Sequence, residues 1–155
     1  MAHSVTVIMF EFLLVPLLFL PLAAPAFLLV AAGVVVHTVV VTARGRRPRP
    51  AALWARLAVV VLCVGLAVYG MGLLFGGVMW MSQPEDLCLV SGLSYSGSPE
   101  PASMWPLHNP ACEEGGVPVD LVPGYVNPVV YAAIGLFVAS VAGMVVSRRR
   151  QRRNV

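Results

Sequence analysis

Three long apolar stretches dominate the chain: Val5–Ala43, Leu57–Met81 and 125–147. The two intervals between them differ sharply, one a short arginine-rich stretch and the other a long acidic one. Apolar runs of more than about 18 residues read as membrane-spanning helices. The pattern therefore predicts an all-α integral membrane protein whose polar interval before the last helix lies outside the lipid.

The first run is too long for one crossing. As a single helix, Val5–Ala43 would extend roughly 58 Å against about 30 Å of hydrocarbon. It contains Pro21-Leu-Ala-Ala-Pro25, and paired prolines break helices and favour turns. The expected arrangement is a tight hairpin over residues 1–43, with spans near Val5–Leu20 and Pro25–Ala43 and a kink at Pro16. Together with 57–81 and 125–147 this makes about four transmembrane helices. The alternative is three, with one span from Pro21 to Ala43 and the first twenty residues lying along the interface. Asn127 and Pro128 have the residue types of an N-cap and a first helical position for the last span. Trp54 and Trp80 bracket the middle span as interfacial aromatics do.

Charge orients this scheme. All ten basic residues are arginines, in two clusters: Arg44, Arg46, Arg47, Arg49 and Arg56, then Arg148, Arg149, Arg150, Arg152 and Arg153. Six of the seven acids (Glu85, Asp86, Glu100, Glu113, Glu114 and Asp120) fall in the interval 82–124, which has no base. Positive residues in short loops stay on the cytoplasmic side. The 44–56 loop and the 148–155 tail are thus expected to be cytoplasmic and 82–124 external, in a multi-pass protein of the plasma membrane. The start MAHSVTV lacks a basic region and a usual cleavage site, so the first segment is expected to stay as an anchor. The net charge of +3 does not argue for nucleic acid, because the arginines flank spans. Lack of lysine beside heavy Ala, Val, Gly and Arg use suggests a GC-rich bacterial source.

Residues 82–124 show no sustained period of 2 or 3.6 and read as an irregular loop. Cys88 and Cys112 lie in it, on the oxidising side, and a bridge between them would contribute roughly 3–3.5 kcal/mol by chain entropy. A metal site is the rival, from His108 and Cys112 with Met104, Glu113, Glu114 and Asp120. A second spaced pair of soft ligands is lacking, so no metal or other cofactor is expected. Cys63, within a span, reads as a small buried apolar residue.

Within the apolar runs, Glu11 and His37 are the ionisable groups other than Cys and Tyr. The hairpin would place them at similar depth, facing one another, as a possible intramembrane polar pair. Equally, both lie near the cytoplasmic headgroups in that scheme. Small residues four apart, Gly72 with Gly76 and Gly135 with Ala139 and Gly143, mark faces for close helix packing. The arginine clusters suit anionic lipid as well as topology.

The layout is similar to that of tetraspanins, but the cysteine motifs defining them are not present and no family follows. Gly92-Leu-Ser-Tyr-Ser-Gly97 does not fit the GxSxG nucleophile elbow, and no catalytic set emerges, so an enzyme is not expected. The leading expectation is an accessory or interaction subunit that meets another membrane or extracytoplasmic protein through its external loop and small-residue faces. The alternative is a small transporter or channel component using Glu11 and His37.

Overall fold

The computed structural model describes residues 2–45, 48–76, 84–95, 97 and 102–153, with the side chains of 2–18 and of Pro84 outside that description. The elements are α1 (Ala2–Ala43), α2 (Pro50–Phe75), α3 (Pro84–Val90), β1 (Ser94–Tyr95), β2 (Ser103–Met104), β3 (Leu107–His108), β4 (Cys112–Glu114), β5 (Val117–Val119) and α4 (Val126–Arg153). Three of the described helical segments are long and apolar enough to cross a membrane: Phe19–Ala43, Pro50–Phe75 and Val126–Arg153. The chain divides into two compact units, Met1–Ala23 with Tyr69–Asn127, and Ala24–Val68 with Pro128–Val155.

The expected hairpin does not form, because α1 runs without a turn through Pro21 and Pro25. Each proline removes one i→i−4 hydrogen bond, but an apolar surround offers no water to the groups that a full break would expose. Neighbouring backbone covers this segment instead. A Cβ placed on Gly70 would lie 2.9 Å from the Leu20 carbonyl oxygen, so only glycine admits this approach. Gly45, at φ 75°, closes α1, and its amide bonds to the Thr42 carbonyl.

Other boundaries move as well. The 44–56 loop shortens, since α2 begins at Pro50 and carries Trp54 and Arg56 on its first turns. The predicted 57–81 span shifts accordingly, and Trp80 lies outside the described residues. Helix α4 starts at Val126 rather than capping on Asn127, with the Val126 amide bonded to the Pro123 carbonyl. It also continues through the arginine tail to Arg153, where basic side chains complement the helix dipole.

The interval before α4 is not irregular, and the all-α expectation fails there. Helix α3 opens with proline followed by Glu85 and Asp86, suited to a helix N-terminus. It ends on Gly92 at φ 72°, with Leu93 N bonded to Cys88 O and Gly92 N to Leu89 O, the Schellman pattern. A three-stranded antiparallel sheet follows in the order β1-β4-β5, beside a two-stranded sheet β2-β3. Glu114 pairs with Val117 across the two-residue turn Gly115-Gly116, both at positive φ (59° and 84°). Pro118 is tolerated because β5 is an edge strand.

Burial differs between the units. In the helical unit of Ala24–Val68 and Pro128–Val155, the buried positions are mostly small (Ala24, Ala31, Ala58, Cys63, Ala67 and Ser140, with Val61 and Val130), while Leu29, Val36, Val39 and Leu136 are exposed. Small residues inside and large aliphatics outside is the pattern of helices packed in lipid.

Candidate functional site

The unit of Met1–Ala23 with Tyr69–Asn127 gathers its chemistry into a small head built around β3. Leu107 is fully buried, and its amide donates to Asn127 Oδ1 (3.0 Å) while its carbonyl accepts from Asn127 Nδ2 (2.9 Å). The next residue but one, Asn109, is also buried, and its Nδ2 donates to the Gly76 carbonyl at 2.6 Å. Asparagine thus links the strand to the first turn of α4 on one side and to the end of α2 on the other. Leu107 also packs against Gly72, where an added Cβ would sit 2.6 Å from Val126 Cγ1 and 2.9 Å from Leu107 Cδ2. Gly72 and Gly76 therefore both serve the head, one by omitting a side chain and the other through its carbonyl.

The disulfide expected between Cys88 and Cys112 is present, with a Cα–Cα distance of 5.5 Å and both residues buried. It ties α3 to β4, the central strand of the sheet.

Asp120 gathers three donors. Its Oδ1 accepts from the amides of Asn109 (2.9 Å) and Val122 (3.0 Å), and its Oδ2 meets His108 Nδ1 at 2.8 Å. Partial burial alone would raise the Asp120 pKa. The bonds from Asn109 and Val122, together with the hydrogen bond and charge of His108, outweigh it and hold the carboxyl below its ordinary value. His108 and Asp120 are the proposed metal ligands that come together. Cys112 is consumed by the disulfide, and the described residues contain no group of three or more His, Cys, Asp or Glu suited to a metal ion.

Beside this scaffold lies an aromatic surface. Tyr69 donates its hydroxyl to the Met104 carbonyl at 2.8 Å, and its ring lies 6.4 Å from that of Trp105, tilted by 49°. Ser103 Oγ bonds to the Pro106 carbonyl, closing the β2–β3 turn, in which the Trp105–Pro106 peptide is cis. Trp105 is nevertheless 55% exposed and Met104 41%.

Glu11 and His37 both lie on α1, so the turn that would have set them face to face is absent. His37 is exposed, and the Glu11 side chain lies outside the described residues. The row on α4 is uneven. Gly143 lies under the Trp54 indole, which a Cβ would meet at 2.6 Å, whereas nothing lies within 4 Å of a Cβ on Gly135, and Ala139 is exposed.

Sequence reasoning missed Asn109 and Asn127 as ties, Tyr69 as a support for Trp105, and Gly65 and Gly70 as close contacts. Gly65 faces the Ala133 methyl, 3.0 Å from a Cβ placed there. Gly-Gly at 115–116 was the legible hairpin signal, and Pro-Glu-Asp at 84–86 the legible helix start. No protein-family model, curated protein or solved structure matches this chain.

Proposed function

We propose that this chain is a small accessory protein of the plasma membrane that works by association, presenting the head of residues 82–124 to a membrane-bound or extracytoplasmic partner. The arginine clusters support a cytoplasmic 44–49 segment and C-terminus. With three crossings the N-terminus is then external, on the same side as the head. A disulfide in the head suits the oxidising compartment that this orientation assigns to it.

One observation carries the reading: a head fixed by a covalent bridge and three polar ties leaves a tryptophan and a methionine on its surface. Aromatic residues and Met are enriched at protein interfaces, and a pre-ordered scaffold lowers the entropy cost of docking. Reporter fusions at Pro50, Gly97 and Val155 test the orientation, and an active external reporter at Val155 would refute it. Trp105→Ala with Met104→Ala should abolish cross-linking to a membrane partner without affecting insertion, while Glu11→Gln should have no effect. Loss of activity with Glu11→Gln and none with the head variants would favour the transport reading instead.

A further inference from the structure

The helical unit holds an apolar groove of about 360 Å³ between the end of α1 and the start of α2. Its walls are Val34, Val35 and Val39 from α1 and Leu53, Leu57 and Val60 from α2, with Thr38 and Arg56 between them. Arg56 is the charged residue of that lining. Among the described residues its guanidinium makes one long hydrogen bond, Nη1 to Thr38 Oγ1 at 3.4 Å. Thr38 itself donates to the Val34 carbonyl at 2.7 Å, so its lone pair is what faces the arginine. A guanidinium carries five donors and stays charged. No Asp or Glu occurs anywhere in Ala24–Val68 or Pro128–Val155, so the unit has no carboxylate of its own to neutralise it.

We infer that this groove is a binding site for an anionic phospholipid, its phosphate held by the Arg56 guanidinium, which Thr38 Oγ1 orients, and one acyl chain lying along the valine and leucine walls. The inference rests on the reading that α1 and α2 cross a membrane and goes beyond the proposed role of the head. The chemistry fits at both ends. Guanidinium matches a phosphate in a two-pronged geometry, and the volume falls within the range of small-ligand sites, about 300–1,000 Å³. Depth fits too: Arg56 and Thr38 each lie near the turn joining the two helices, where headgroups reside, while Val34 and Val60 lie one turn further into the run. A water-soluble anion would gain nothing from the aliphatic walls.

The test uses the full-length chain. Flotation with vesicles comes first: a chain that sediments refutes the membrane reading itself. For a chain that floats, detergent-solubilised protein is offered equal phosphatidylglycerol and phosphatidylcholine, and bound lipid is counted by native mass spectrometry. A single base near an anionic surface supports a preference of about fivefold, so wild type should favour phosphatidylglycerol by at least that factor. Arg56→Gln should remove the preference. Val35→Trp, which fills the groove from an exposed position without touching a hydrogen bond, should reduce total lipid retention. Arg49→Gln, an exposed arginine outside the groove, should change neither. Equal loss with Arg49→Gln and Arg56→Gln would overturn the site in favour of diffuse surface charge. Unchanged retention in Val35→Trp would overturn it too, and that variant alone decides if Arg56→Gln fails to insert. So would a co-purifying protein, rather than lipid, that is lost with Arg56→Gln.

Discussion

The head and the helical unit are held together by different forces. In the head, a disulfide joins α3 to β4, and polar side chains bond directly to backbone: Asn127 to Leu107, Asn109 to Gly76, Asp120 to Asn109 and Val122. In the helical unit glycines allow carbon-on-carbon approach, Gly65 against Ala133 and Gly143 against the Trp54 indole, and among the described residues the polar contact between helices is the long Arg56–Thr38 bond. Ser140 is fully buried there, yet its hydroxyl bonds within its own helix to the Leu136 carbonyl at 2.7 Å. The contrast fits the proposed placement of the head in water and of the long helices in lipid. Short strands facing water cannot bury enough apolar surface to order themselves, so they need covalent and polar ties. Helices in lipid already satisfy their backbone and gain stability from close packing.

Breaking the bridge should have the largest effect. Cys112→Ser opens a link across a sequence separation of 24 residues, which the chain-entropy relation values at about 3 kcal/mol or slightly more. Hydrogen exchange should rise across β4 and β5 and stay protected in the α2 segment 57–68. Equal deprotection of both would show that the units do not differ as described.

Next comes Asn127→Ala, which leaves a buried amide and carbonyl of Leu107 without their partner, at a cost of about 2–3 kcal/mol. Asn127→Asp keeps the acceptor for the Leu107 amide but loses the donor to its carbonyl, so a smaller loss is expected. Chemical unfolding followed at the head reads both.

For the helical unit, Gly143→Leu should cost about 1–2 kcal/mol by overpacking against Trp54, whereas Gly135→Leu, with open space around it, should leave the melting temperature in detergent unchanged. Equal destabilisation would mean that Gly135 faces a second copy or a partner.

The smallest effect concerns acid. Asp120 has its folded pKa lowered, so its stabilising contribution is complete above the ordinary carboxylate value, near 4, and fades as pH falls through the lower folded value. Hydrogen exchange around Asn109 and Val122 should therefore increase only in that acidic window, and Asp120→Asn should remove the dependence.

Hydrophobic run length and arginine placement were enough to read the long helices and the polar interval, because both are properties of local composition. Two cysteines in an otherwise polar stretch were enough to expect their bridge. The pair Pro21–Pro25 makes no hairpin: proline's tendency to break a helix is strongest where water can hydrate the carbonyls it frees, and here the backbone of Gly70 packs against Leu20 and Pro21 instead. The order of the head was hidden for another reason. Strands of two or three residues are too short to show a period, and Asn109, Asn127 and Asp120 act through backbone partners fixed only by the fold. Sequence by itself determined which segments prefer lipid and which bear charge, since transfer free energy and charge belong to the residues themselves. Only the tertiary structure decided which glycines are contacts, which asparagines are ties and that Arg56 lies in an apolar groove, since each depends on distances between residues remote in the chain.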